Sequence, residues 1–78
     1  MRSKITASKD LTLATAKTIA ETAGKYHAEI RLLYRDKVAN AKSLMGVVAL
    51  SYKKGAELSI VAEGKDAARA TDAVKALL

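Results

Sequence analysis

Few side chains in this chain could do chemistry. His27 is the only imidazole, and the 78 residues contain no Cys. With no second His and only Glu29 close by in sequence, neither a metal site nor a serine-type triad can be read around His27. The eight carboxylates form no suggestive pair. Asp66 and Asp72 lie six residues apart in one helical stretch, which is not one face, and Glu57 and Glu63 fall on the solvent-facing row of a strand. Gly24, Gly46, Gly55 and Gly64 stand singly, so no phosphate-cradling loop is present. Two helix starts remain, at Thr12 and Ser43. A hydroxyl there caps the helix, and the free first-turn N–H groups and the helix dipole favour an anion. A phosphate on Ser43 would place nearly two negative charges on the cap beside Lys42, recolouring the surface next to Leu44 and Met45. The competing reading makes both residues ordinary caps worth about 1 kcal/mol each.

The elements that must position these groups follow from periodicity. Ile5 and Ala7 alternate with Lys4 and Thr6, which predicts a first strand broken by Ser8-Lys9-Asp10. Leu13, Ala16, Ile19, Ala20 and Ala23 keep helical spacing after Thr12, and Gly24 is expected to end that helix in a left-handed conformation. Ala28, Ile30, Leu32 and Tyr34 mark a second strand. Asp36-Lys37 reads as a tight turn into a short third strand around Val38 and Asn40. Ser43 opens a short helix over Leu44 to Leu50, with Leu44, Val47 and Val48 toward the core; Gly46 and the two valines weaken its propensity. After the turn at Lys54-Gly55, Leu58, Ile60 and Ala62 define a fourth strand closed by Gly64. Ala67, Ala70, Ala73, Val74 and Leu77 stripe a last helix, with Asp66 near its positive end.

Such short helices need a sheet to cover, so the expected fold class is α+β: a four-stranded antiparallel sheet covered on one face by three helices, in the order βαββαβα. No repeat or linker divides the chain, and residues 1–78 are read as a single domain.

Composition narrows the function classes. Fourteen Lys plus Arg against eight Asp plus Glu leave a charge of +6. The excess is uneven: five basic to two acidic groups over residues 1–28, six to two over 29–55, and three to four over 56–78. A basic surface favours anionic partners, which include nucleic acid, a phosphorylated protein and an acidic protein face. The chain has no Phe or Trp, its three tyrosines (Tyr26, Tyr34, Tyr52) are scattered, and no basic run exceeds Lys53-Lys54, so direct nucleic-acid binding is not expected. Without Cys there is no disulfide framework, and Met1-Arg2-Ser3-Lys4 leads into no signal-peptide core. A cytoplasmic, monomeric protein with no cofactor, no metal and no membrane segment is expected.

The run Asn40-Ala41-Lys42-Ser43-Leu44-Met45-Gly46, then Val47 to Leu50, then Lys54-Gly55-Ala56-Glu57-Leu58-Ser59-Ile60, resembles HPr in its Gram-positive form. HPr is the histidine-containing phosphocarrier of the sugar phosphotransferase system. The run also resembles the catabolite-repression HPr paralogue. The resemblance extends over the whole chain and implies the family's open-faced β-sandwich.

In that family a Gly-Leu-His-x-Arg-Pro motif begins the first helix; its His carries the phosphoryl group taken from enzyme I, and its Arg helps stabilise that group. Here the stretch reads Asp10-Leu11-Thr12-Leu13-Ala14-Thr15. The resemblance thus puts Thr12 at the phosphohistidine position, Ala14 at the arginine and Thr15 at the proline. A threonine hydroxyl with no base beside it is no equivalent nucleophile. His27 falls at the far end of the helix, about 18 Å away. Histidine phosphocarrier activity is therefore not expected, unless His27 turns out to lie beside an arginine in an anion-binding hollow.

The resemblance implies that Ser43 is phosphorylated by an HPr kinase/phosphorylase. It further implies that Leu44, Met45 and Val48, with Thr12 beside them, meet protein partners such as a catabolite-control repressor. The family's arginine also contacts that repressor, and Ala14 removes it. The expected function is a regulatory protein, not an enzyme. The alternatives are a degenerate HPr-fold binding module without phosphorylation, for an acidic partner, and an active phosphocarrier.

Overall fold

Alternation and helical spacing become seven elements in the computed structural model, which describes all 78 residues. They are β1 (Arg2–Thr6), α1 (Leu13–Gly24), β2 (Glu29–Tyr34), β3 (Lys37–Asn40), α2 (Leu44–Val48), β4 (Glu57–Glu63) and α3 (Ala67–Lys75). The strands form one antiparallel sheet in the order β1-β4-β2-β3, and the three helices lie against one face of it. The expected βαββαβα open-faced sandwich is what the chain adopts.

Ile30 and Leu32 on β2 and Leu58, Ile60 and Ala62 on β4 are buried beneath the helices. Ala16, Ile19 and Ala23 of α1, Val47 of α2 and Ala70 and Val74 of α3 meet them. Small residues on the helices let backbones approach the sheet, and the branched residues on the strands fill the gap.

Several local expectations change. Gly24 is the last residue of α1 and does not take a left-handed conformation. The helix instead closes through right-handed turns, with the Lys25 N–H donating to the Thr22 carbonyl and the Tyr26 N–H to the Ala23 carbonyl. The β2–β3 turn is Arg35-Asp36, one residue earlier than expected, with Arg35 at φ 56°.

Helix α2 stops at Val48 rather than Leu50, and Ser51 follows in a left-handed conformation at φ 49°. Leu13, assigned above to the core stripe of α1, is 62% exposed. On α3 the buried set is Ala67, Ala70, Thr71 and Val74, while Ala73 and Leu77 are half-buried. Thr71 satisfies its buried hydroxyl by donating to the Ala67 carbonyl at 2.8 Å. Leu78 is also buried, and its carbonyl accepts from the Ser8 N–H (2.8 Å) and hydroxyl (3.0 Å), joining the end of the chain to the β1–α1 loop.

Candidate functional site

Ser43 sits where the β3–α2 connection is held by its own polar groups. The Asn40 side-chain oxygen accepts from the Lys42 N–H at 2.9 Å, and the Asn40 carbonyl accepts from the Ser43 N–H at 2.9 Å. Ser43 Oγ then accepts from the Gly46 N–H at 3.1 Å, which makes it the N-cap of α2. Gly46, a weak helix former by itself, has a specific task here. A Cβ at that position would lie 3.3 Å from Ser43 Oγ, so the glycine leaves room around the hydroxyl. Lys42 does not offer a free ammonium beside it, because its Nζ donates to the Tyr26 carbonyl at 2.7 Å.

Thr12 caps α1: its Oγ1 accepts from the Thr15 N–H and donates to Thr15 Oγ1, both at 3.1 Å. The loop carrying it is tied to the segment after α2. The Leu11 N–H donates to the Tyr52 carbonyl (3.0 Å), and the Lys54 N–H donates to Asp10 Oδ1 (2.7 Å). The start of α1 therefore meets the end of α2, not the Ser43 cap at its beginning. Thr12, Leu13, Val48, Ser51 and Lys53 line one hollow of about 220 Å³.

Met45 is 75% exposed, and Leu44 and Val48 are half-buried against the core. With exposed Leu13 they extend an apolar surface across both helices. Ala14 does not face this hollow; it borders a shallower one with Thr15, Thr18 and Lys9. Lys53 is the only charged side chain lining the Thr12 hollow, and no carboxylate or imidazole there activates the threonine oxygen. Sequence reasoning missed Leu13, Ser51 and Lys53 because only the long-range hydrogen bonds bring them together.

Tyr52, beneath this hollow, carried no assignment from sequence. It is 1% exposed, and its hydroxyl is buried without a hydrogen-bond partner. Burial pushes its phenol above the usual tyrosine range. Tyr52→Phe removes that unpaired group at constant shape. It is expected to raise stability by about 1 kcal/mol, read as a higher urea midpoint at unchanged slope.

His27 lies at the other end of α1, which at twelve residues is about 18 Å long. It is exposed and borders a hollow of about 620 Å³ with Lys65, Asp66 and Arg69 at the start of α3. Asp66 occupies the N-cap position but leaves its own helix uncapped. Its carboxylate accepts instead from the His27 N–H (2.9 Å) and the Ala28 N–H (2.8 Å). The imidazole thus has an arginine as neighbour in that hollow, together with a carboxylate. No three His, Asp or Glu side chains converge as metal ligands would, and no helix is long and apolar enough to cross a membrane.

The family model described as the PTS HPr component phosphorylation site matches residues 2–78. The chain belongs to the HPr family. Solved HPr structures agree. The phosphocarrier protein HPr from Bacillus anthracis is 29% identical, with a TM-score of 0.93 over 100% of this chain and 95% of that one. The histidine-containing phosphocarrier protein of Mycoplasma is 33% identical, with a TM-score of 0.88 over 99% and 90%. The catabolite-repression protein Crh of Bacillus subtilis, described as a domain-swapped dimer, is 26% identical, with a TM-score of 0.79 over 94% and 84%. HPr-family proteins are phosphocarriers of the phosphotransferase system that work through protein partners rather than as catalysts.

Proposed function

We propose that this HPr-family chain is a regulatory protein of carbon catabolite control, without histidine phosphocarrier activity, and that it is switched by phosphorylation of Ser43. An HPr-kinase-type enzyme would act on it. A protein partner, such as a catabolite-control repressor, would read it through Leu44, Met45, Val48 and Thr12. On this reading residues 1–78 work as one cytoplasmic, monomeric domain.

The observation that carries the reading is the setting of Ser43: a capping hydroxyl with clearance from Gly46, one residue from half-buried Leu44 and two from exposed Met45. In the transfer step Ser43 Oγ attacks the γ-phosphorus of ATP. The new O–P bond forms as the bond to ADP breaks, and the hydroxyl proton passes to a base on the kinase. The added charge then stands on the positive end of α2 and next to the apolar surface a partner would touch. Thr12 supports the other half of the proposal, since its hydroxyl is engaged with Thr15 and has no base beside it.

Incubation with HPr kinase and ATP, followed by intact-mass measurement, is expected to add one phosphate to the wild type and none to Ser43→Ala. No uptake by the wild type, or equal uptake by Ser43→Ala, overturns the switch and leaves the binding module without phosphorylation.

One observation favours the phosphocarrier alternative: His27 shares its hollow with Lys65 and Arg69. The ionised Asp66 carboxylate in the same hollow opposes it, because it repels an incoming phosphoryl group. Acid-labile phosphate appearing on this chain with phosphoenolpyruvate and enzyme I, and lost in His27→Ala, would establish the carrier and end the proposal above.

A further inference from the structure

The sheet face turned away from the helices carries a pattern that the Ser43 surface does not use. The strand register places Lys4, Ser59, Leu33 and Val38 in one row across all four strands, and Arg2, Val61, Arg31 and Asn40 in the next. Apolar side chains therefore run between Arg2, Lys4 and Arg31, the next row on this face holds Glu63 and Glu29, and Val38 is 64% exposed. Between β1 and the β2–β3 turn this face dips into a depression of about 380 Å³, lined by Arg2, Lys4, Thr6, Leu33, Arg35 and Ser59. Glu57 is the only carboxylate among its walls.

The cations there are not neutralised from within. The single ion pair of the molecule joins Arg31 to Glu29 at 3.6 Å, so Arg2, Lys4 and Arg35 have no carboxylate within salt-bridge distance. Arg35 is held at φ 56°, a conformation that glycine or asparagine takes more readily, with its guanidinium 5.3 Å from the centre of the Tyr34 ring.

We propose that this open face is a second docking surface, for an acidic segment of a protein partner. An apolar side chain of that segment rests on Leu33 and Val38, and its carboxylates meet Arg2, Lys4 and Arg35. Charge complementarity sets the sign of the occupant. The apolar row sets its class. A nucleic-acid backbone would leave Leu33 and Val38 unused, and the face offers no aromatic ring for a base, since Tyr52 is buried and Tyr34 lies on the helix side of β2. The surface lies across the sheet from Ser43 and Met45, so both can be occupied at once and the chain can bridge two proteins. The proposal stands whether or not Ser43 accepts phosphate.

The test titrates the isotope-labelled full chain with a short synthetic peptide of alternating glutamate and leucine and follows amide shifts. Shifts are expected along β1, β2, β3 and β4. Binding is expected to weaken about tenfold in the Arg2→Ser, Lys4→Ser double variant, as when charge partners are removed from an interface. It should weaken similarly in Leu33→Thr, which keeps strand propensity while removing the apolar contact. Ser43→Ala and Met45→Asp should bind like the wild type. Unchanged affinity in Leu33→Thr would mean charge alone, and would overturn the proposal. So would shifts centred elsewhere, or a single-stranded DNA oligonucleotide producing the same shifts at equal affinity.

Discussion

Gly64→Ala is expected to destabilise the protein by about 3 kcal/mol, from backbone strain and a steric clash together. Gly64 follows β4 at φ 136°, a conformation that side-chain-bearing residues rarely adopt. A Cβ there would lie 2.9 Å from the Ala28 Cα and 3.3 Å from its Cβ. Neither neighbour can swing aside, because one is backbone and the other belongs to a residue buried just before β2. A domain of this size has only about 5–15 kcal/mol of net stability, so the loss is large. Thermal melts should fall by about 12–24 °C at the usual sensitivity of small domains. A variant melting with the wild type would show that the close approach at Ala28 relaxes without cost.

Asp66→Asn is expected to lower the melting temperature by several degrees and to flatten the acid limb of the stability curve. The Asp66 carboxylate is held below the usual aspartate range, chiefly by the His27 backbone N–H and then by the N–H groups of Ala28 and of Asp66 itself. Asparagine keeps one acceptor but turns an NH2 group toward the second backbone donor, so one of the two long-range bonds is lost. The sign of the pH effect follows from the lowered value. Ionised Asp66 stabilises the fold fully above its unfolded pKa, and that stabilisation disappears as the pH falls through the folded value, below the ordinary aspartate range. Urea midpoints taken from neutral pH into strong acid should therefore converge for the wild type and Asp66→Asn. Parallel curves would mean that the carboxylate does not hold the α1–β2 connection to α3.

Much of the architecture was legible in the residue order because strands and helices announce themselves locally. Ile30 and Leu32, and then Leu58, Ile60 and Ala62, alternate as a half-buried strand must, and all five are buried. Ala16, Ile19 and Ala23 keep helical spacing and share one buried face. Thr12 and Ser43 were recognisable as caps because a cap needs only a short side chain and the N–H three residues on. Leu13 shows the limit of that logic. It fits the helical stripe, yet it is 62% exposed, and burial along α1 begins only at Ala16.

What the sequence by itself determined is the set of elements, the two capped helix starts, the basic balance and the thiol-free, single-imidazole chemistry. The tertiary structure alone decided which distant groups meet. It inserted the last strand, β4, between β1 and β2. It placed Thr12 and Val48 around one hollow, set Arg69 in the hollow of His27, and buried the Tyr52 hydroxyl without a partner. The physical reason is range. Periodicity and capping act over a few residues, whereas Asp66 bonds to groups 38 and 39 positions away, and nothing local records which loops must close to bring them together.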